Sequence, residues 1–234
     1  MSGSIPFSRV GMYLAFDTSS PVGSVAVGQG SEVRARVLLE RRAEHAARLV
    51  PAIDTVLEEA GVDRTELSGV VVGEGPGSFT GVRVAAATAK GLTHALSLPL
   101  WAVSSLAAAA LASSAGPIRY ALFDARSDRV YGACYGVGSS AVQTLVSPHA
   151  GTLRDVLDGD VPGGVTFIGD AADRHRAVIE GAGYPVADRN EGASLADGLL
   201  RYLGLCPDRG PIENVEAWQP AYLRPSRAEA AWTP

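Results

Sequence analysis

The chain has 234 residues, 47% of them apolar and 19% charged, enough to bury a sizeable core as one large domain or two small lobes. A net charge of −5 and the lack of any long basic run argue against independent tight binding to a nucleic acid backbone. Cys134 and Cys206 are far apart in sequence, which gives neither a disulfide framework nor a zinc site, and the longest alanine-rich stretch, residues 106–115, is too short to span a bilayer.

Residues 1–11 are Ser/Gly-rich, lack the apolar core of a signal peptide and read as a flexible leader, with Met12 as an alternative start. A cytoplasmic location is expected. Residues 13–17 form an apolar run that ends in a carboxylate, and the hydroxyl-rich turn 18–23 leads into a second strand at 24–28. Val33, Ala35 and Val37 alternate with Arg34 and Arg36, the pattern of a third strand with one wet face. Ala46, Leu49, Val50, Ile53, Val56, Leu57 and Ala60 then keep helical spacing until Gly61 stops them.

The most informative stretch follows. A β-branched strand at 70–73 meets the loop Glu74-Gly75-Pro76-Gly77-Ser78-Phe79-Thr80-Gly81 and restarts as an alanine-rich helix running to about residue 96. Such a loop either seats the helix as a structural turn or presents free N–H groups to an anion. No Gly-Lys-Ser/Thr follows the glycines, the third glycine of a dinucleotide fingerprint is Ser78, and no Gly-x-Ser-x-Gly elbow is present, all of which favours the turn. Val82, Ala85, Ala86, Ala89, Leu92 and Leu96 form one apolar face of the helix. Val84, Ala87, Thr88, Gly91 and Ala95 form a second, uncharged one, suited either to burial or to a partner helix.

Residues 98–103 read as a strand and 104–114 as a connecting helix. The second half repeats the opening, with strands at 120–124, 130–135 and 141–146, a short helix at 153–157, a strand at 165–168 and a helix at 172–181. Ser194 caps a stripe of Leu195, Leu199, Leu200 and Leu203. Prolines between 207 and 225 exclude a further helix, so the tail is expected to run extended, packed by Tyr222 and Leu223, with its last ten residues loose. A duplicated β-β-β-α-β-α order is the plan of the actin and sugar-kinase superfamily. The expected fold is therefore α/β, with lobes at 12–106 and 107–215, the second reduced, and a tail at 216–234.

Asp17-Thr18-Ser19, the loop from Gly75 to Arg83, Ala89-Lys90-Gly91-Leu92, Asp124-Ala125-Arg126 with Val130-Tyr131, and Pro220-Ala221-Tyr222-Leu223-Arg224 together strongly resemble the TsaB (YeaZ) family, from about residue 12 to 224. The resemblance implies a non-catalytic partner of the TsaD subunit in making threonylcarbamoyladenosine, the base beside the anticodon of tRNAs reading codons that begin with A. It implies further that a P-loop ATPase, TsaE, joins the assembly, that tRNA is reached only through the complex, and that the isolated chain is a homodimer. The first-lobe helices would carry the dimer surface, with His45, Ala46, Leu49, Ile53, Phe79, Arg83, Val84, Ala87, Thr88, Gly91 and Ala95 in it.

The alternative is an enzyme of the same fold acting alone, an ATP-dependent transferase or a glycoprotease-like metalloenzyme. The catalytic relatives hold a metal with His-x-x-x-His, whereas this chain reads His45-Ala46-Ala47-Arg48-Leu49, and one imidazole is not a metal site. His45 is expected in the cap region or at the surface. Asp17, Thr18 and Ser19, with Asp124 in the matching turn of the second half, resemble the phosphate-binding elements of the superfamily. They are either a weak, vestigial ATP/ADP site or inherited turn residues, and no other cofactor is expected. Glu74 is expected to be a solvated loop carboxylate.

Overall fold

A computed structural model describes residues 7–40, 42–188 and 194–223. The first sheet has the order β3-β2-β1-β4-β5, from strands β1 (Met12–Asp17), β2 (Gly23–Gln29), β3 (Glu32–Leu39), β4 (Leu67–Gly73) and β5 (Leu100–Val103). β1, β2 and β3 form an antiparallel meander, whereas β4 lies parallel to β1 and β5 parallel to β4. The parallel pairs need crossovers. Helices α1 (His45–Ala60) and α2 (Phe79–Leu96) supply them.

Strand alternation decides which helices cover which face. Leu14, Phe16, Val70 and Val72 point to the side where Leu49, Ile53 and Val56 of α1 and Ala85 and Ala89 of α2 pack. Tyr13, Ala15, Val71 and Trp101 point to the other side and meet Leu199, Leu200 and Leu203 of a late helix, here α7 (Leu195–Leu205). By chain order α7 belongs to the second lobe, yet it packs on the first sheet.

The second sheet, β8-β7-β6-β9, comprises β6 (Ile118–Asp124), β7 (Arg129–Val137), β8 (Val142–Thr152) and β9 (Val165–Ile168). The short helices α4 (Leu153–Leu157), α5 (Asp170–Arg174) and α6 (Arg176–Gly181) cover one face through Val156, Ala171, Ala172 and Ile179. Helix α3 (Ser105–Ala112) covers the other through Leu106, Ala107 and Ala110. α3 and α7 thus lie between the sheets and touch closely, because a Cβ on Gly198 would overlap the carbonyl of Ala108. The second half is the smaller copy, as expected from its weaker periodicity, with four strands against five.

Two terminal expectations change. Phe7, expected in a flexible leader, is 5% exposed and stacks on Tyr13 with Trp101 at its edge. Residues 1–6 of that leader, and the last ten residues expected to be loose, lie outside the described residues. The tail is a strap from about residue 207 to 223. Arg209 donates to the carbonyl of Ala102, the Trp101 indole N–H donates to the carbonyl of Arg209, and the N–H of Ile212 bonds the carbonyl of Leu100 on the open side of β5.

Candidate functional site

The turn after β1 is filled by protein. Asp17, Thr18 and Ser19 are all buried. Oδ1 of Asp17 accepts the N–H of Ser19 at 2.6 Å, and Oδ2 accepts the hydroxyl of Ser105. Thr18 donates to the carbonyl of Gly81 at 2.6 Å, and the N–H of Ser78 bonds the carbonyl of Ser19 at 2.7 Å. The glycine loop between β4 and α2 thus lies directly on the turn. A Cβ on Gly73 would overlap the Asp17 carboxylate, one on Gly81 would overlap the Thr18 carbonyl, and one on Gly77 would stand 2.5 Å from the Ser19 carbonyl oxygen. Burial pushes the Asp17 carboxyl above its usual range, opposed by the hydrogen bonds from Ser105 and Ser19 and by the charge of His45.

These contacts engage Asp17, Thr18 and Ser19 as turn residues that hold the loop after β4. The lack of a Cβ at Gly73, Gly77 and Gly81 is what lets the loop approach the turn so closely. In the matching turn of the second half, the Asp124 carboxylate pairs with Arg174 at 2.8 Å and accepts the N–H of Arg126. A cleft of about 740 Å³ does open between the lobes, lined by Pro21, Val22, Phe123 and Gly169 together with Glu40 and Asp170. Asp173 and Asp188 also border it, both paired with Arg176.

Three residues expected at the surface lie inside. His45 is 2% exposed, with Nε2 at 3.1 Å from the carbonyl of Leu39 and 3.3 Å from the N–H of Gly23. Leu49 and Ile53 belong to the core under the first sheet. Positions 45, 49, 52, 53, 56 and 57 make the seat of α1, and the exposed residues include the row Ala46, Val50, Asp54 and Glu58, spaced four apart. Val50, 52% exposed, was legible as apolar but not as outward-facing. Glu74 is not a solvated carboxylate. It is half-buried under the strap, burial raises its pKa, and the charge of Arg209 and a hydrogen bond with Trp218 hold that rise back.

The outer side of α2 lies where the spacing puts it. Its start is set by Ser78, whose hydroxyl accepts the N–H of Gly81, and its seat is Val82, Ala85, Ala86 and Ala89. Phe79, Arg83, Ala87, Gly91 and Ala95 are exposed and Val84 and Thr88 half-buried, beside the outer row of α1. The strap flanks α2 with Lys90 donating to the carbonyl of Glu216 at 2.8 Å and sitting 5.9 Å from the Trp218 ring centroid. Tyr222 reaches Phe79 and Arg83.

A chain with this architecture matches known proteins along nearly its whole length. The TsaB protein of Bacillus subtilis strain 168, a tRNA threonylcarbamoyladenosine biosynthesis protein, is 31% identical over 230 residues, covering 94% of this chain and 96% of that one. The chain belongs to the TsaB family. The TsaB of Escherichia coli K12 is 37% identical over 125 residues, about half of each chain at 52% and 54%. The family model described as TsaD, tRNA N6-adenosine threonylcarbamoyltransferase, matches residues 34–185.

Among solved structures, YeaZ from Pseudomonas aeruginosa superimposes with a TM-score of 0.76 at 28% identity, covering 91% of this chain and 100% of that one. The (R)-2-hydroxyglutaryl-CoA dehydratase component A of Acidaminococcus fermentans does so at 0.53 and 12% identity, covering 85% and 100%, and shares the fold alone. The TsaB assignment and the actin/sugar-kinase-like fold expected from the sequence both hold. Among the described residues no helix is long and apolar enough to cross a membrane.

Proposed function

We propose that this TsaB-family chain is a non-catalytic subunit. It pairs with a TsaD-type transferase and activates threonylcarbamoyl transfer to the adenosine beside the anticodon of tRNAs that read codons beginning with A. The observation that supports this most is the outer face of α2, where the uncharged row Ala87, Gly91 and Ala95 stays exposed. Small residues on a helix let a second helix approach to about 8 Å between axes. The match of residues 34–185 to the TsaD model adds that such a partner shares the fold, so equivalent helix pairs can meet about a pseudo-twofold axis.

A second line of support is chemical. Where the transferase relatives carry a second histidine this chain has Leu49, which is fully buried in the core, and His45 is enclosed beside it. In the proposed assembly the same face forms a homodimer when the chain is alone, a TsaE-type P-loop ATPase joins the pair, tRNA is bound through the complex, and the site of action is the cytoplasm.

Co-purification with the TsaD-type subunit of the same organism, followed by a tRNA modification assay with and without this chain, tests the reading. Modification that requires both proteins is the expected result. Transfer from threonylcarbamoyl-adenylate to tRNA by the purified chain alone would overturn it in favour of an enzyme in its own right.

A further inference from the structure

Arg83 stands one helical turn before Ala87 on α2 and is held from two sides. Its guanidinium carbon lies 3.8 Å from the centroid of Phe79, and its Nε donates to the hydroxyl of Tyr222 at 3.2 Å. The two rings are 5.8 Å apart and remain 42% and 41% exposed. Stacking occupies one face of the guanidinium and Tyr222 occupies Nε, which leaves the fork of Nη1 and Nη2, the edge that takes a carboxylate through two parallel hydrogen bonds. Among the described residues no carboxylate forms an ion pair with that fork.

Tyr222 is carried by the strap, whose position is fixed by the N–H of Ala221 on the carbonyl of Glu74 at 2.9 Å and by Lys90 on the carbonyl of Glu216. A residue from the far end of the chain therefore sets the direction of an arginine on the docking helix.

We propose that Phe79, Arg83 and Tyr222 form a carboxylate-binding hot spot at the edge of the docking face, which makes the C-terminal strap part of the interface. The occupant is an aspartate or glutamate on the helix of the catalytic subunit that covers Ala87 and Gly91. This rests on the docking reading above. Continuity favours a protein carboxylate over an RNA phosphate: Ala87 and Gly91 follow Arg83 at four and eight residues, an uncharged row that a helix covers and a phosphate backbone does not. The net charge of −5 points the same way. In water an exposed guanidinium pair is worth little, but an arginine stacked on aromatics inside a dehydrated interface has the composition of a hot spot.

The test is titration calorimetry of the full-length chain against the purified TsaD-type subunit, with thermal melts to confirm that each variant is folded. Arg83→Glu is expected to weaken binding by about a hundredfold and Arg83→Lys by about tenfold, since an ammonium cannot reproduce the fork. Tyr222→Phe, which keeps the ring, should cost about threefold, and Tyr222→Ala should add nothing once Arg83→Ala is present. Ala87→Glu probes the docking face independently. If Ala87→Glu abolishes binding while Arg83→Glu binds at wild-type affinity, the hot spot is overturned and the docking face stands; if both bind normally, both fall. Normal affinity of Arg83→Glu for the subunit with loss of tRNA binding by the complex would assign the fork to phosphate and overturn the proposal.

Discussion

Ser105 donates its hydroxyl hydrogen to Oδ2 of Asp17 and accepts the N–H of Gly75 at 3.1 Å, so one side chain at the start of α3 ties the β1 turn to the glycine loop before α2. The result is a closed knot of backbone and hydroxyl groups. The knot positions the start of α2, and with it the face proposed to dock.

Ser105→Ala should destabilise the protein by about 1–3 kcal/mol, because it strips a buried carboxylate of one of its hydrogen bonds. The Asp17 pKa is already raised by burial, and losing the Ser105 bond raises it further. A folded-state pKa above the unfolded one means stability that is full at low pH and lost as pH rises through the folded value. The defect should therefore be larger at pH 7.5 than at pH 5. Urea denaturation at both pH values checks this, and an equal loss at both would remove Asp17 from the explanation.

Gly73→Ala and Gly91→Ala should move stability in opposite directions. A methyl on Gly73 overlaps the Asp17 carboxylate, whereas one on Gly91 meets nothing within 4 Å. Replacing a mid-helix glycine by alanine gains about 0.5–1 kcal/mol, so Gly91→Ala should raise the melting temperature of the isolated chain. It should also weaken the partner complex, since the new methyl fills the space a neighbouring helix would use. Melting curves and affinity measured on one preparation separate the two effects.

Ala87→Glu should leave the melting temperature of the isolated chain near that of the wild type and abolish co-elution with the TsaD-type subunit. Ala87 is exposed, so a glutamate there meets water in the monomer and is desolvated only on docking. Retained co-elution at wild-type affinity would put the interface elsewhere.

Thiol labelling should distinguish the two cysteines. Both are free, and burial pushes the Cys134 thiol up to about 11. At pH 8 only about a thousandth of it is thiolate, and the side chain is fully buried besides. Burial raises Cys206 as well, but Cys206 is half-buried. Native protein should label slowly at Cys206, with Cys134 reacting only after denaturant is added; fast labelling of Cys134 in the native state would contradict the packing of the second sheet.

Glu74→Gln should flatten the pH dependence of stability contributed by this site. Burial raises the Glu74 pKa, so its ionised form costs stability as pH rises, with Arg209 and Trp218 returning part of that cost. Relative to wild type, the glutamine variant should gain stability from pH 4 towards pH 7. A difference that does not vary with pH would show that the strap does not bury this carboxylate.

The sequence by itself determined the order of elements, the duplicated plan and the family. These depend on local periodicity and on motifs such as the loop from Gly75 to Arg83, and neither needs the chain to be folded to be read. It also determined which α2 residues turn outward, because Val82, Ala85 and Ala89 recur at the helical period and leave Ala87, Gly91 and Ala95 opposite them. On α1 the family resemblance put Leu49 and Ile53 in the docking face although they form the seat of that helix. An apolar residue at helical spacing does not say which of two apolar surfaces it faces. Only the tertiary structure decided that Asp17, Thr18 and Ser19 are closed off by Gly73, Gly77 and Gly81. Only it decided that Glu74 lies beneath Trp218, that α7 returns to the first sheet, and that Tyr222 steers Arg83. Each of these pairs residues separated by more than fifty positions, and such contacts follow from how the sheets and helices stack rather than from any local preference of the chain.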